Sequence, residues 1–419
     1  NPPTAPNTVG LESANWYVEE ARIRGGYNNV QTGLSPRAFL KSEDNSTELL
    51  KNSIIYSGVY NSRTGTNQSN QFPSGQDITR TVDPSKGSIQ KLYAEDTNLI
   101  IFQERKISKA LIDKDAIYTQ EGQPVQTASN VVIGGIVAYA GEFGISQNPE
   151  SFAVYGFRKY FTDKDKGSVM RLSQDGLSEI SNFGMYDYFR DAFLTLGNGR
   201  AVGGWDIHNK CYTLSLQPTA PNTTPTTLSF DENVKGWTSR FSYIPNHIFS
   251  LQNNFYSTKN GSIWQHYSAG VNRANFYGIQ YDSTVKTIFN TNPSLVKSFQ
   301  TINYEGGGNW QMTSLTTNED KMVNQLDANL PAISVFSIPL TLASMETAML
   351  KNEFKRKEDK YFANLINTSG FAQGEVVYGK SISGVKGFFA TVDMKATNTA
   401  TSGTNELFSV SLDYNESSY

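Results

Sequence analysis

Short alternating runs of apolar and polar residues, separated by polar turns, make up most of the chain, and they are clearest over residues 201–267. There AVGGWDIHNKCYTLSL, TTLSFDENVKGWTSRFSY and HIFSLQNNFYSTKNGSIWQHY follow one another, with the run lengths and period of two that strands show. Trp205, Trp237 and Trp264 each stand beside glycine (Gly203-Gly204, Gly236, Gly261), where a large ring can cross to a neighbouring sheet while glycine supplies an unusual backbone angle. Propeller blades are built this way. LSFDENVKGWTS also has the strand, acidic turn and Trp of many blades, although no repeat is strict enough to count them.

Upstream, residues 1–15 are rich in Pro, Asn and Thr and predict an extended arm. A strand or short helix follows and stops at Gly25-Gly26; residues 31–88 are polar, with one strand at 54–60 and a surface loop at 61–75. Strands at 89–93, 98–103, 107–112 and 116–119 have the spacing of a meander. The glycine-punctuated stretch 131–163 reads as irregular, with a loop over one face. Next comes the clearest hairpin, turning at Gln174-Asp175-Gly176, because Asp-Gly adopts the positive backbone angles of a tight turn. Met185, Tyr188, Phe189, Ala192, Phe193 and Leu196 have helical spacing, ended by Gly197-Asn198-Gly199.

After Ser268, VKTIFN and LVKSFQTINYEG predict a longer hairpin, and the polar stretch after Trp310 a domain-crossing loop. Residues 341–366 fit either a helix or, because KNEFKRKEDK is so charged, a strand pair with a charged turn. VKGFFATVDMKA and ELFSVSLDYNE alternate like edge strands around a mobile loop at 397–405. The fold expected is mainly β with few helices. It comprises a β-rich segment at 16–88, a propeller-like domain at 89–267 and a second, platform-like β domain at 268–419, to which the N-terminal segment also contributes.

Composition narrows the function. Charged residues are 18% of the 419, with Lys+Arg 36 against Asp+Glu 39, a balance that suggests affinity for neither nucleic acid nor anionic membrane. The single Cys211 rules out an intrachain disulfide framework and, lying in CYTLSL, reads as a buried structural thiol. No apolar run reaches the roughly 18 residues of a membrane span, and no signal peptide is evident. Asn1 in place of Met reads as a processed N-terminus or as part of something longer.

Candidate chemistry is sparse. His208, His247 and His266 have no metal-ligand spacing. The doublets Glu19-Glu20, Asp231-Glu232, Glu319-Asp320 and Glu358-Asp359 could supply an acid and a base but read first as solvated turns. Asp163 to Gly167 begins like a calcium loop, yet lacks its third acidic position and distal carboxylate. Ser173 to Leu177 departs from the Asp-box turn of propeller glycosidases, with glycine one place early and no Trp. The glycines at 306–308 lack the lysine and helix of a phosphate-binding loop. No catalytic residue, cofactor site or metal site is therefore assigned.

The phrases NLIIFQERKISKALIDKD, ESFAVYGFRKYFTDKDKGSVMRLSQDGLSEIS, MYDYFRDAF, FDENVKGWTSRFSY and NGSIWQHY resemble the muzzle, or tail stabilisation, family of crAss-like short-tailed bacteriophages. The resemblance runs from Trp16 to Tyr419 and corresponds to the C-terminal portion of a longer protein. It implies a nozzle-like structural protein of the virion tail, made in the bacterial host cytoplasm. It further implies a cyclic homo-oligomer, six-fold in expectation, with a propeller in each subunit and a platform joining the ring to the tail. The partners implied are further copies, the tail tube, fibres, the missing N-terminal portion of the same polyprotein, the host envelope and, transiently, phage DNA during ejection. A lumen around passing DNA is expected to be polar and neutral to acidic, because clustered cations would hold the duplex through counterion release. The alternative is a propeller-type tail protein that binds or degrades glycans, which for hydrolysis needs two carboxylates about 5–10 Å apart in a cleft.

Overall fold

The computed structural model describes residues 50–417 except 59, 73–77, 96–97, 119–123, 222, 308, 319–320, 323–353, 366–384 and 399–404. The arm at 1–15, Asn1, the segment at 16–30, Glu19-Glu20 and Glu319-Asp320 lie outside the described residues. The chain divides into two compact units, Asn1–His266 and Tyr267–Tyr419. It is mainly β: strands are gathered in several sheets, none closed on itself, with one α-helix among the described residues.

Four antiparallel sheets follow one another in the first unit, each joining strands in sequence order. The first contains Ile89–Glu95, Asn98–Gln103, Ile107–Tyr118 and Pro124–Ala138; the second contains Ala153–Tyr155, Arg158–Asp163, Ser168–Ser173 and Gly176–Glu179. The third contains Arg200–Asp206, Cys211–Gln217, Thr226–Asp231 and Gly236–Phe241, and the fourth has three strands, His247–Leu251, Asn254–Lys259 and Ser262–Gln265. Because each side chain in a strand points opposite to the next, Ile100 and Phe102 face Phe161, Met170 and Leu172 of the second sheet, while Ile101 faces the other way. Ile101 meets Ile54 and Val82, so the paired strands Ser53–Ile55 and Thr79–Thr81 cover the first sheet. For the described residues 53–82 this corrects the grouping of the N-terminal segment with the C-terminal domain: Ile54 and Val82 are buried on their sequence neighbour.

Other sequence expectations are corrected as well. The strand read at 54–60 is two short strands, Ser53–Ile55 and Tyr60–Asn61. No turn separates 107–112 from 116–119. One strand runs from Ile107 to Tyr118, with register shifts at Ala110/Ile112 and Ile112/Lys114, because its partner Pro124–Ala138 continues the ladder. The partner lies in the stretch read as irregular: the two glycines at 134 and 135 interrupt the apolar pattern without ending the strand. The helix forms at Tyr186–Leu196, as its spacing predicts, burying Phe189, Phe193 and Leu196. Burial contributes roughly 1.5–3 kcal/mol for each such side chain.

The second unit packs two larger sheets around one core, besides the small pair Asn275–Phe276 and Ile279–Gln280. One sheet orders Ser283–Phe289, Ala390–Ala396, Trp310–Thr317 and Lys321–Met322. The other orders Lys355–Lys357, Lys360–Asn364 and Lys297–Gly306, with Val385–Gly387 also beside the last and Leu407–Glu416 along its opposite side. Phe299, Ile302, Tyr304, Trp310, Met312, Val392 and Met394 fill the space between them.

Of the stretch 341–366, residues 341–353 lie outside the description; from Lys355 on it is the strand pair, turning at Glu358-Asp359, both with positive φ. Trp310–Thr317 is a core strand where a domain-crossing loop was expected. Ala390–Ala396 is a central strand, whereas its alternation suggested an edge; Leu407–Glu416 is an edge among the described residues. Of the loop read as mobile, residues 399–404 are not described, but its ends are tied: the Asn405 side-chain amide donates to Asn398 Oδ1, and Asn398 donates to the Tyr281 carbonyl and Ser283 Oγ.

Candidate functional site

Two hairpin turns at one end of the second sheet form an open groove of about 320 Å³, lined by Tyr155, Gly156, Phe157, Arg158, Ser173, Gln174 and Asp175. Both turns need positive φ, 55° at Gly156 and 100° at Gly176, and glycine reaches these angles without a Cβ penalty. Asp175 and Gly176 thus stand where the sequence places them, at a tight turn, and Asp175 also borders the groove. Phe157 is 70% exposed there.

An aromatic stack supports the groove wall. Tyr155 lies on Trp205 with centroids 4.3 Å apart and planes 10° apart; Tyr160 follows at 5.4 Å from Trp205 and 5.0 Å from Tyr212. Tyr212 is anchored by donating its hydroxyl to the Ser151 carbonyl at 2.7 Å. Burial raises the Tyr160 and Tyr212 hydroxyls well above their ordinary range, so both serve as fixed donors. Tyr160 donates to Glu232 Oε1 at 2.7 Å, and Arg171 donates to Glu232 Oε2 at 2.7 Å, with Arg158 3.8 Å away. The doublet Asp231-Glu232 does open a turn, but the Glu232 side chain in it is sheltered from solvent. Glu232 is a sheltered ion pair between sheets, and Asp231 Oδ1 accepts from the Asn233 amide.

The three tryptophans separate. Trp205 and Trp237 belong to one apolar cluster, where Trp237 packs on Phe189 and Phe230 and donates its Nε1 hydrogen to the Ile180 carbonyl. Trp264 lies on the outermost strand of the fourth sheet, 37% exposed. Gly261 beside Trp264 supplies a positive φ of 79°, as expected, but the glycines beside Trp205 act differently. A Cβ on Gly203 would meet the Ser151 carbonyl oxygen at 2.0 Å, and one on Gly204 would meet Ile248 Cγ2 at 2.3 Å, so this pair permits close packing between sheets within an ordinary strand.

The remaining candidates are structural. Asp163 is buried and accepts from the Gly144 and Lys166 amides and Ser146 Oγ, so its carboxylate closes a turn. Burial raises its carboxyl despite these bonds. Burial likewise pushes the Cys211 thiol up to about 12, holding it protonated and unreactive. His208 is an exposed turn neighbour of Asn209. Among the described residues no cluster of three or more His, Cys, Asp or Glu could hold a metal. Asp175 is the single carboxylate among the groove's lining residues, so the groove offers a surface for ring stacking and hydrogen bonding, without the paired acid and base of a glycosidase.

His266 is set apart by its titration. It lies against Tyr243 and Phe255 with Nε2 2.7 Å from Ser257 Oγ, and burial pushes its pKa down to about 4. Between pH 6.5 and 4 the unfolded chain binds this proton and the folded chain does not, so stability is complete above pH 6.5 and falls as pH drops. We expect a loss of about 1–3 kcal/mol across that window. Denaturant titrations at pH 7 and 5 check it: His266→Gln should remove most of the difference, and an unchanged pH dependence in that variant would refute the assignment.

Comparison with known proteins adds the following. Residues 37–261 match the family described as crassvirus muzzle protein, and residues 271–368 match the crassvirus muzzle protein C-terminal domain. No curated protein matches. Among solved structures, an exo-β-1,3-galactanase from Phanerochaete chrysosporium with β-1,3-galactotriose is similar at 9% identity, over 86% of this chain and 100% of its own, with a TM-score of 0.19. So low a TM-score carries no argument about fold or chemistry.

Proposed function

The chain belongs to the crassvirus muzzle protein family, and we propose that it is a structural part of the phage tail tip, a ring of identical subunits that closes the tail and surrounds the DNA exit channel. The family match across both units carries this reading. The groove supports it secondarily, because its one carboxylate gives no hydrolytic pair. We further take the four successive sheets as blades of a propeller-like arc. In favour of that reading, the first strands of the second, third and fourth sheets adjoin through the close approaches at Gly203 and Gly204 and through Ser250, which donates to the Trp205 carbonyl. A closed six-fold ring suits a tail axis, since heterologous contacts close when one rotation relates all subunits.

Gold-labelled antibody against the second unit, imaged on intact particles, tests the placement. Label at the tail tip is expected; label confined to capsid or fibres would overturn the proposal. Duplex DNA titrated onto the assembled ring should bind weakly at physiological salt, whereas submicromolar affinity would point to a gripping role.

A further inference from the structure

The five-stranded sheet of the second unit has two unlike edges. Leu407–Glu416 pairs with Lys297–Gly306 and with no other described strand, leaving ten residues with one free backbone edge. Sheet proteins usually protect such an edge with lysine, proline or a bulge. From Glu406 to Glu416 there is no Lys, Arg or Pro; a bulge at Phe408 irregularises only the start of the strand, and the exposed side chains include Phe408, Asp413 and Glu416. The far edge of the same sheet is Lys355–Lys357, three exposed cations. Arg356 is tied to Asp359, but Lys355, Lys357, Asp413 and Glu416 make no ion pair among the described residues.

Register places Lys355, Lys357 and Asp413 on one face, with Glu416 at the strand end on the other. Tyr361, Tyr304 and Val410 share a row, as do Phe362, Asn303 and Ser411. The first row faces the core, so Lys355, opposite Phe362, and Lys357, opposite Lys360, lie on the outer face with Ser411 and Asp413. Strand direction is also suitable: each pairing in the sheet is antiparallel, so Lys355–Lys357 runs opposite to Leu407–Glu416.

We infer that the acidic edge Leu407–Glu416 of one subunit pairs antiparallel with the basic edge Lys355–Lys357 of the next, so that this sheet continues from copy to copy around the assembly. The inference rests on the ring reading above and supplies its contact surface. The occupant is a second copy of this chain because the complementary edge belongs to the same sheet. A neighbour's Lys355 set opposite Ser411 is diagonal to Asp413, within reach of a lysine side chain. The join is head to tail, the kind that forms a ring when its rotation closes.

Zero-length carbodiimide coupling of the assembled full chain, followed by mass spectrometry, tests it. Within one subunit Asp413 and Lys355 are three strand spacings apart, about 14 Å, so an isopeptide between them must join two copies. Links from Asp413 to Lys355 or Lys357 are expected. The variant K355E/K357E should weaken assembly at least about tenfold, and adding D413K should restore a large part of it. Because the coupling uses the unaltered chain, a poorly folding variant leaves the test standing. Assembly without these links and indifferent to charge reversal would overturn the inference and leave the ring intact. A chain that stays monomeric in all conditions would overturn both.

Discussion

Replacing Gly203 by alanine should lower the stability of the first unit by about 3 kcal/mol or more. The added Cβ would lie 2.0 Å from the Ser151 carbonyl oxygen, 2.7 Å from its carbon and 2.7 Å from Tyr212 Oη. None of these can yield cheaply. Ser151 ends the short helical turn Pro149–Ser151, and its carbonyl receives the hydroxyl that anchors the aromatic stack. The control is Gly236→Ala, whose Cβ would meet nothing closer than 3.9 Å. Urea titration compares them, and a Gly203→Ala loss under about 1 kcal/mol would show that the sheets can slide apart to admit a methyl group.

Lys297→Met should cost the second unit about 2–4 kcal/mol. The Lys297 side chain is 1% exposed, and its ammonium donates to the carbonyls of Asn292 and Leu295, each at 3.0 Å, and of Phe388. Three donors thus meet three backbone acceptors, joining the turn before Lys297–Gly306 to the chain after Val385–Gly387. Methionine keeps much of the stem volume but none of the donors, so the loss comes from carbonyls left unpaired. Thermal or denaturant unfolding reads the difference. A variant as stable as the parent would mean that burying the ammonium costs as much as its three bonds return.

Local signals carried the sequence reading furthest. Gly176 follows its turn with a positive φ, though Asp175 does not share it, and the helix Tyr186–Leu196 is specified by the spacing of Phe189, Phe193 and Leu196. Neither depends on a distant partner. Ala390–Ala396 was misread because one buried face gives the same alternation in a central strand as in an edge strand; what differs is the backbone pairing to Ser283–Phe289 and Trp310–Thr317. Pro124–Ala138 was lost because its glycines break the apolar pattern while its ladder to Ile107–Tyr118 holds. The groove was the least legible. Glu232 and Arg171 are 61 positions apart, and no spacing rule joins them. The aromatic stack likewise mixes Tyr155 and Tyr160 with Trp205 and Tyr212, of which only Trp205 stood out.

The order of strands also sets an order of events during synthesis. Each of the four successive sheets of the first unit joins neighbours in the chain, so its pairings close short loops and can form as soon as its own residues leave the ribosome. The second unit has no such sequence. Lys297–Gly306 is flanked on one side by Leu407–Glu416, about a hundred residues later, so its sheet lacks a wall until that strand has been made. A nascent chain therefore carries a finished first unit while the second is still unfinished, and the edge proposed for assembly forms only after the other strands of its sheet.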